Sequence, residues 1–179
     1  SRGKTKDRPM AAFLIEPETE LAERCEAVTI ERSQCVVTTL QREPFLRMAA
    51  FQYMIGNTDW YVYNVHNLAL LKVPEYPRMV PVPYDFDYAG IVDANYAIPF
   101  HTLPISDVKE RLYTGEPCSE EEAAAIREHF LARQPAIMTY FENFPFLRKN
   151  DHRFVLHYLE DFFKTLEDPK QAAAVFGKR

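Results

Sequence analysis

The sequence predicts an α+β, mainly helical domain with a small β-hairpin beside a group of carboxylates. Three observations predict it. Apolar residues recur at helical spacing on both sides of the centre, as in Phe45, Met48, Phe51 and Ile55. Two apolar runs, 68–73 and 79–83, are separated only by the Pro-bounded stretch 74–78, which is the pattern of a hairpin. The composition is that of an ordinary globular protein, 47% hydrophobic and 26% charged over 179 residues. A chain of this length buries roughly 70% of its unfolded surface, so one domain over 1–179 is expected.

In chain order, residues 1–10 read as a basic irregular tail carrying Arg2, Lys4, Lys6 and Arg8, and Ala11–Ile15 as a short buried strand. Pro17 starts a helix with Leu21, Ala22 and Cys25, and Glu18 and Glu20 suit the positive end of its dipole. Val36–Leu40 reads as extended. A second helix runs from about Pro44 and stops at Gly56. The irregular loop 57–67 leads to the hairpin, and Tyr84-Asp85-Phe86-Asp87 follows it. Ser106 begins a short helix with Val108 and Leu112 that Gly115 ends. Ser119 and Glu122 form a capping box for another helix, reaching the 130s. Asp151 is expected to cap a last helix with Phe154, Val155, Tyr158, Leu159, Phe162 and Leu166 on one face.

Several functions are disfavoured. The net charge of −5 argues against nucleic acid or an anionic membrane as partner, and no apolar run is long enough for a membrane span. The five glycines are scattered, so neither GxGxxG nor a Walker A loop is present. The four serines include no GxSxG elbow. His152 and His157 are five apart, which on a helix splits them across faces, so they read as surface histidines rather than a zinc pair. The three cysteines lack metal-ligand spacing and leave open one Cys25–Cys35 bridge. With Met10 the first methionine, Ser1 reads as a processed start, and the compartment stays open.

Residues 50–104 hold only seven charged residues but 11 of the 24 aromatics, so the aspartates there need an explanation. Asp59 follows Gly56-Asn57-Thr58, and Asp85 and Asp87 flank Phe86. If extended, Asp85 and Asp87 share a face and Phe86 points into the core. With Asn64 or Asn67, the set is one carboxylate, one amide and a carboxylate pair. Mg²⁺ takes one or two carboxylates and leaves its other positions to water and phosphate. Phosphoryl transfer needs a further Asp to orient the attacking hydroxyl. The rivals are a metal-dependent glycosyltransferase using Asp-x-Asp, and a non-catalytic interaction module in which Asp59 is merely a turn residue.

Three strings carry a resemblance: Ile55-Gly56-Asn57-Thr58-Asp59-Trp60, His66-Asn67-Leu68-Ala69-Leu70-Leu71 and Pro83-Tyr84-Asp85-Phe86-Asp87. They resemble the catalytic and metal loops of atypical protein-kinase-like families, notably the spore-coat-H-like and HipA-type kinases. The run 44–93 is similar to a bacterial branch of that group with the same GNTDW and YDFD strings. The resemblance implies a kinase-like C-lobe that uses ATP and Mg²⁺ to phosphorylate a hydroxyl-bearing acceptor of unknown identity. Asp59 would be the base, Asp85 the principal metal ligand and Asp87 a second. Asn67 is the favoured amide ligand, whereas Asp-x4-Asn spacing selects Asn64. Asn57 in the loop motif and Glu16 in the hinge-like segment 11–17 fall on the nucleotide side, and His66 would orient the loop. An N-lobe, with its Gly-rich loop, lysine and glutamate, has no counterpart, so the chain is expected to begin at the hinge. Trp60 stands where these relatives often place a basic or small residue.

Overall fold

The computed structural model describes residues 15–177; the tail 1–10 and most of the expected strand 11–15 lie outside them. Ile15, Glu16 and Pro17 are irregular. The described residues form an α+β fold of six α-helices and one three-stranded antiparallel sheet. Helix α1 (Glu18–Arg24) begins after Pro17, with Glu18 and Glu20 in its first turn and Arg24 in its last. Strand β1 (Val28–Thr29) is too short to leave a periodic signal; it pairs with β2 (Leu68–Lys72), which pairs with β3 (Val80–Pro83). The hairpin register sets Leu68 opposite Pro83 and Leu71 opposite Val80. Leu68 to Leu71 are all buried, so the central strand shows no alternation.

Helix α2 (Arg42–Ile55) begins ahead of Pro44, which falls in the first turn, where a missing N–H is harmless. It stops as expected at Gly56, whose φ of 68° is left-handed. Gly56 N–H donates to Tyr53 O at 3.2 Å and Asn57 N–H to Gln52 O at 2.8 Å, the paired bonds of a Schellman stop.

Two expected elements are absent. Val36–Leu40 is not extended but contains a 3₁₀ turn (Val37–Thr39), because the Thr39 hydroxyl donates back to Val36 O at 2.7 Å. The expected helix after Ser106 is replaced by turns. There the Ser106 and Asp107 amides and the Ser106 hydroxyl all donate to Glu110 Oε1, which folds the segment on itself.

Helix α3 (Glu120–Leu131) has the expected capping box: Glu122 N–H donates to Ser119 Oγ at 3.1 Å, and Ser119 N–H to Glu122 Oε2 at 2.9 Å. Helix α4 (Gln134–Glu142) follows after two residues. Helix α5 (Lys149–Glu167) begins ahead of Asp151, so Asp151 is not its cap; that carboxylate accepts from Arg148 Nε at 2.7 Å. Helix α6 (Pro169–Phe176) is capped by Asp168, which accepts the Lys170 amide at 2.8 Å. The core lies among these helices and includes Phe45, Leu159, Phe162, Phe163 and Phe176. The three cysteines are free thiols. Among the described residues no helix is long and apolar enough to cross a membrane.

Candidate active site

The site grows from the stop of α2. Asn57, the first residue past Gly56, is 0% exposed. Its Nδ2 donates to Gln52 Oε1 at 3.1 Å, and its Oδ1 accepts the Asp59 amide at 3.0 Å. Both polar atoms are thus engaged by the chain, and in this geometry Asn57 shapes the loop rather than facing a ligand. Trp60 next to Asp59 is buried against Phe45. The loop therefore has one anchor on each side of Asp59.

Asp59 is half-buried and held by two residues from the far end of the loop. Its Oδ1 lies 3.1 Å from His66 Nε2. Asn67 Nδ2 reaches both Asp59 O at 2.8 Å and Asp59 Oδ2 at 3.1 Å. Tyr61 and His66 exchange backbone bonds of 3.2 and 2.9 Å, which closes the loop between them. Val65 (φ 52°) and Asn67 (φ 54°) are both left-handed, a costly conformation for a β-branched residue. Asn64 is exposed and lines a different hollow with Glu31, Arg32 and Ser33; Asn67 is the asparagine that touches Asp59.

The acidic pair reaches the same place from the end of the hairpin. Tyr84 N–H donates to Asn67 O at 3.1 Å, tying the two loops together. Asp85 has φ 57°, so Asp85-Phe86-Asp87 is not extended as the sequence suggests; a left-handed turn brings the two carboxylates together. Phe86 still points inward, packing edge-on against Phe51 at 5.7 Å. Burial and the adjacent Asp87 carboxylate push the Asp85 carboxyl above its usual range, and the charge of Asp59 adds to this. The three carboxylates thus share one electrostatic neighbourhood. Gly90 and Ile91 then donate to Gly56 O at 3.1 Å and Ile55 O at 3.0 Å, clamping the acidic loop onto the stop of α2.

Sequence reasoning missed three supporting residues. Tyr96 Oη donates to Asp87 Oδ2 at 3.0 Å. Tyr158 Oη, donating to Lys109 O at 3.1 Å, sits where Gly56 and Gly90 meet, and a Cβ on either glycine would overlap it. Arg111 lies over the Tyr158 ring at 3.6 Å and donates to Met54 O. Gly56 and Gly90 were the available signal, since an isolated glycine marks close backbone approach.

Two cavities flank the carboxylates. The larger, about 910 Å³, is bordered by Glu16, Arg24, Ala69, Tyr84, Asp85 and Tyr96. Glu16 there is exposed and paired with Arg24, whose Nη2 is 2.7 Å from Glu16 Oε2. The smaller, about 310 Å³, has Asp59 in its wall. Among the described residues no Lys or Arg pairs with Asp85 or Asp87, and no group of three or more His, Cys, Asp or Glu is arranged to hold a metal. Two carboxylates and the amide oxygen of Asn67, which accepts no hydrogen bond among the described residues, are the donors available. That set fits Mg²⁺, which needs few protein ligands, better than a metal that wants a full protein cage. No family model, curated protein or solved structure matches the chain.

Proposed function

We propose that the chain is a kinase-like phosphotransferase, dependent on ATP and Mg²⁺, that phosphorylates a hydroxyl. One arrangement carries the reading: Asn67 Nδ2 holds Asp59, the Tyr84 amide ties the acidic loop to Asn67 O at 3.1 Å, and the charge of Asp59 reaches Asp85. A turn residue would not need that second loop, and no lysine or arginine among the described residues pairs with Asp85 or Asp87 to account for them as structural carboxylates. The left-handed backbone at Asn67 and Asp85 supports the same reading, because strained residues concentrate where function pays for them.

In this reading Asp85, with Asp87 and Asn67 Oδ1, would hold the metal. Mg²⁺, when bound, offsets the negative charge of the phosphates. ATP would take the larger cavity, which Asp85 borders. The acceptor approaches from the smaller cavity. Its hydroxyl gives its proton to Asp59, its oxygen forms the new bond to the γ-phosphorus, and the bond from that phosphorus to the bridging oxygen breaks to release ADP. His66 and Asn67 keep the Asp59 carboxylate aimed at the hydroxyl. Tyr96 donates to Asp87 Oδ2, so it is the other oxygen of Asp87 that would be free to hold a metal.

The test is transfer of ³²P from labelled ATP by the full chain, with and without Mg²⁺. Asp59→Asn is expected to slow transfer by about 10²–10⁴-fold while leaving Mg²⁺-ATP binding intact. Asp85→Asn is expected to abolish the Mg²⁺-dependent part of ATP binding. Equal labelling in wild type and both variants would end the proposal, and turnover of a UDP-sugar with Mn²⁺ would replace it with glycosyl transfer.

A further inference from the structure

The smaller cavity has a chemistry of its own. Its wall holds the Asp59 carboxylate together with Tyr61, Tyr88, Ile98, Phe100 and His101, and among the described lining residues there is no lysine or arginine. Lys109, which follows the lining residue Val108 in sequence, is occupied: its Nζ is 2.9 Å from Asp93 and 3.2 Å from Asp107. An anionic acceptor would therefore meet the Asp59 carboxylate and no lysine or arginine. By contrast Ile98 and Phe100 are 73% and 55% exposed, large apolar side chains held in water at the mouth of the hollow. Aromatic walls with a single carboxylate are what a ring-bearing ligand with one acidic hydroxyl requires.

We infer that this cavity is the acceptor subsite and that it takes an uncharged phenol, the side chain of a tyrosine or a free small phenol, with the hydroxyl at Asp59 and the ring among Tyr61, Tyr88 and Phe100. This rests on the phosphotransferase reading, and it names the substrate class. The phenolic proton passes to Asp59 as the oxygen bonds the γ-phosphorus of ATP and ADP leaves. The aryl phosphate so formed is an anion, which the same wall disfavours, so the product is expelled.

Binding can be read without ATP or Mg²⁺, by two-dimensional amide NMR on the full chain. The probes are p-cresol, N-acetyltyrosinamide, N-acetylserinamide and N-acetyl-O-phosphotyrosinamide. The two phenols are expected to shift the amide signals of 58–61 and 98–101, and to bind at least tenfold more tightly than the serine and phosphotyrosine probes. Phe100→Ala, an exposed position whose loss leaves the remaining spectrum unchanged, is expected to weaken both phenols about fivefold or more. Tighter binding of the tyrosine amide than of p-cresol indicates a polypeptide acceptor; equal binding indicates a free phenol. Serinamide binding as well as the phenols, shifts confined to other residues, or indifference to Phe100→Ala overturns the inference. The two readings fail separately. Labelling of serinamide but not of phenols leaves a phosphotransferase with a different acceptor, whereas phenol binding with no transfer leaves the cavity and removes the phosphotransferase.

Discussion

One side-chain amide, that of Asn67, holds the two ends of the 57–67 loop together, and its backbone is left-handed as well. Asparagine suits both demands, since it tolerates that conformation better than most residues and its nitrogen spans Asp59 O and Oδ2. The two demands separate by mutation. Asn67→Gly keeps the conformation and loses the amide; Asn67→Ala loses both. Phosphate transfer is expected to fall equally in the two variants, while Asn67→Ala is the less stable by about 1 kcal/mol in denaturant unfolding. Equal stability would mean that the backbone is not strained there. A second prediction concerns the acidic pair. Asp87→Asn removes the like charge that raises the Asp85 carboxyl, so the variant is expected to melt higher than wild type in metal-free buffer. Its stabilisation by Mg²⁺-ATP is expected to be smaller, and thermal melts with and without nucleotide measure both.

At the scale of elements, two boundaries that the sequence announced carry a complete hydrogen-bonding device. Gly56 is legible as a stop because glycine is most at ease at φ 68°, and the Ser119-Glu122 box because its partners lie three residues apart in sequence. Gly56→Ala is expected to cost more than about 1 kcal/mol from the backbone alone, and overlap with Tyr158 Oη adds to it. Removing that oxygen with Tyr158→Phe relieves the overlap and not the backbone strain, so the double variant is expected to lose less than the sum of the two singles. The capping box also has an electrostatic signature. Glu122 accepts from Arg42 Nε at 2.8 Å, and that guanidinium lowers its carboxyl to about 2. A carboxyl lowered by folding adds stability above the unfolded-state value of about 4.3, and the gain disappears as the pH falls toward 2. Glu122→Gln is therefore expected to melt lower than wild type at pH 7, with the gap closing below about pH 4; a constant gap across that range would show that packing, not charge, is lost. The elements that the sequence did not announce have physical reasons too. Asp151 looked like a cap, yet helix α5 begins earlier and Asp151 serves Arg148 instead. Ser106 has the same appearance, and a carboxylate three or four residues on takes the amides that would have opened a helix.

For the molecule as a whole, what was legible is the class of architecture and the identity of the acidic residues; what was not is how they meet. Patterning locates Phe162 and Leu159 in a helix face, and both are fully buried. Phe162→Ala is expected to cost about 3–5 kcal/mol and to shift a single cooperative transition, because its ring contacts Phe130, Tyr53 and Phe163. A separate early transition for the 57–104 region would show that it folds apart from the helices. The resemblance implied that Asp59 and Asp85 meet; the turn at Asp85 and the way the loops are tied were not legible, because they depend on left-handed residues and on backbone bonds between segments over thirty positions apart, which no local pattern records. The pairing of Gly90 and Ile91 with Gly56 and Ile55 has a kinetic consequence. Their amides are sealed by the floor of α2 rather than by their own loop, so the acidic loop cannot breathe alone. In deuterated water those two protons are expected to be retained as long as those at the end of α2, and both sets to be released together.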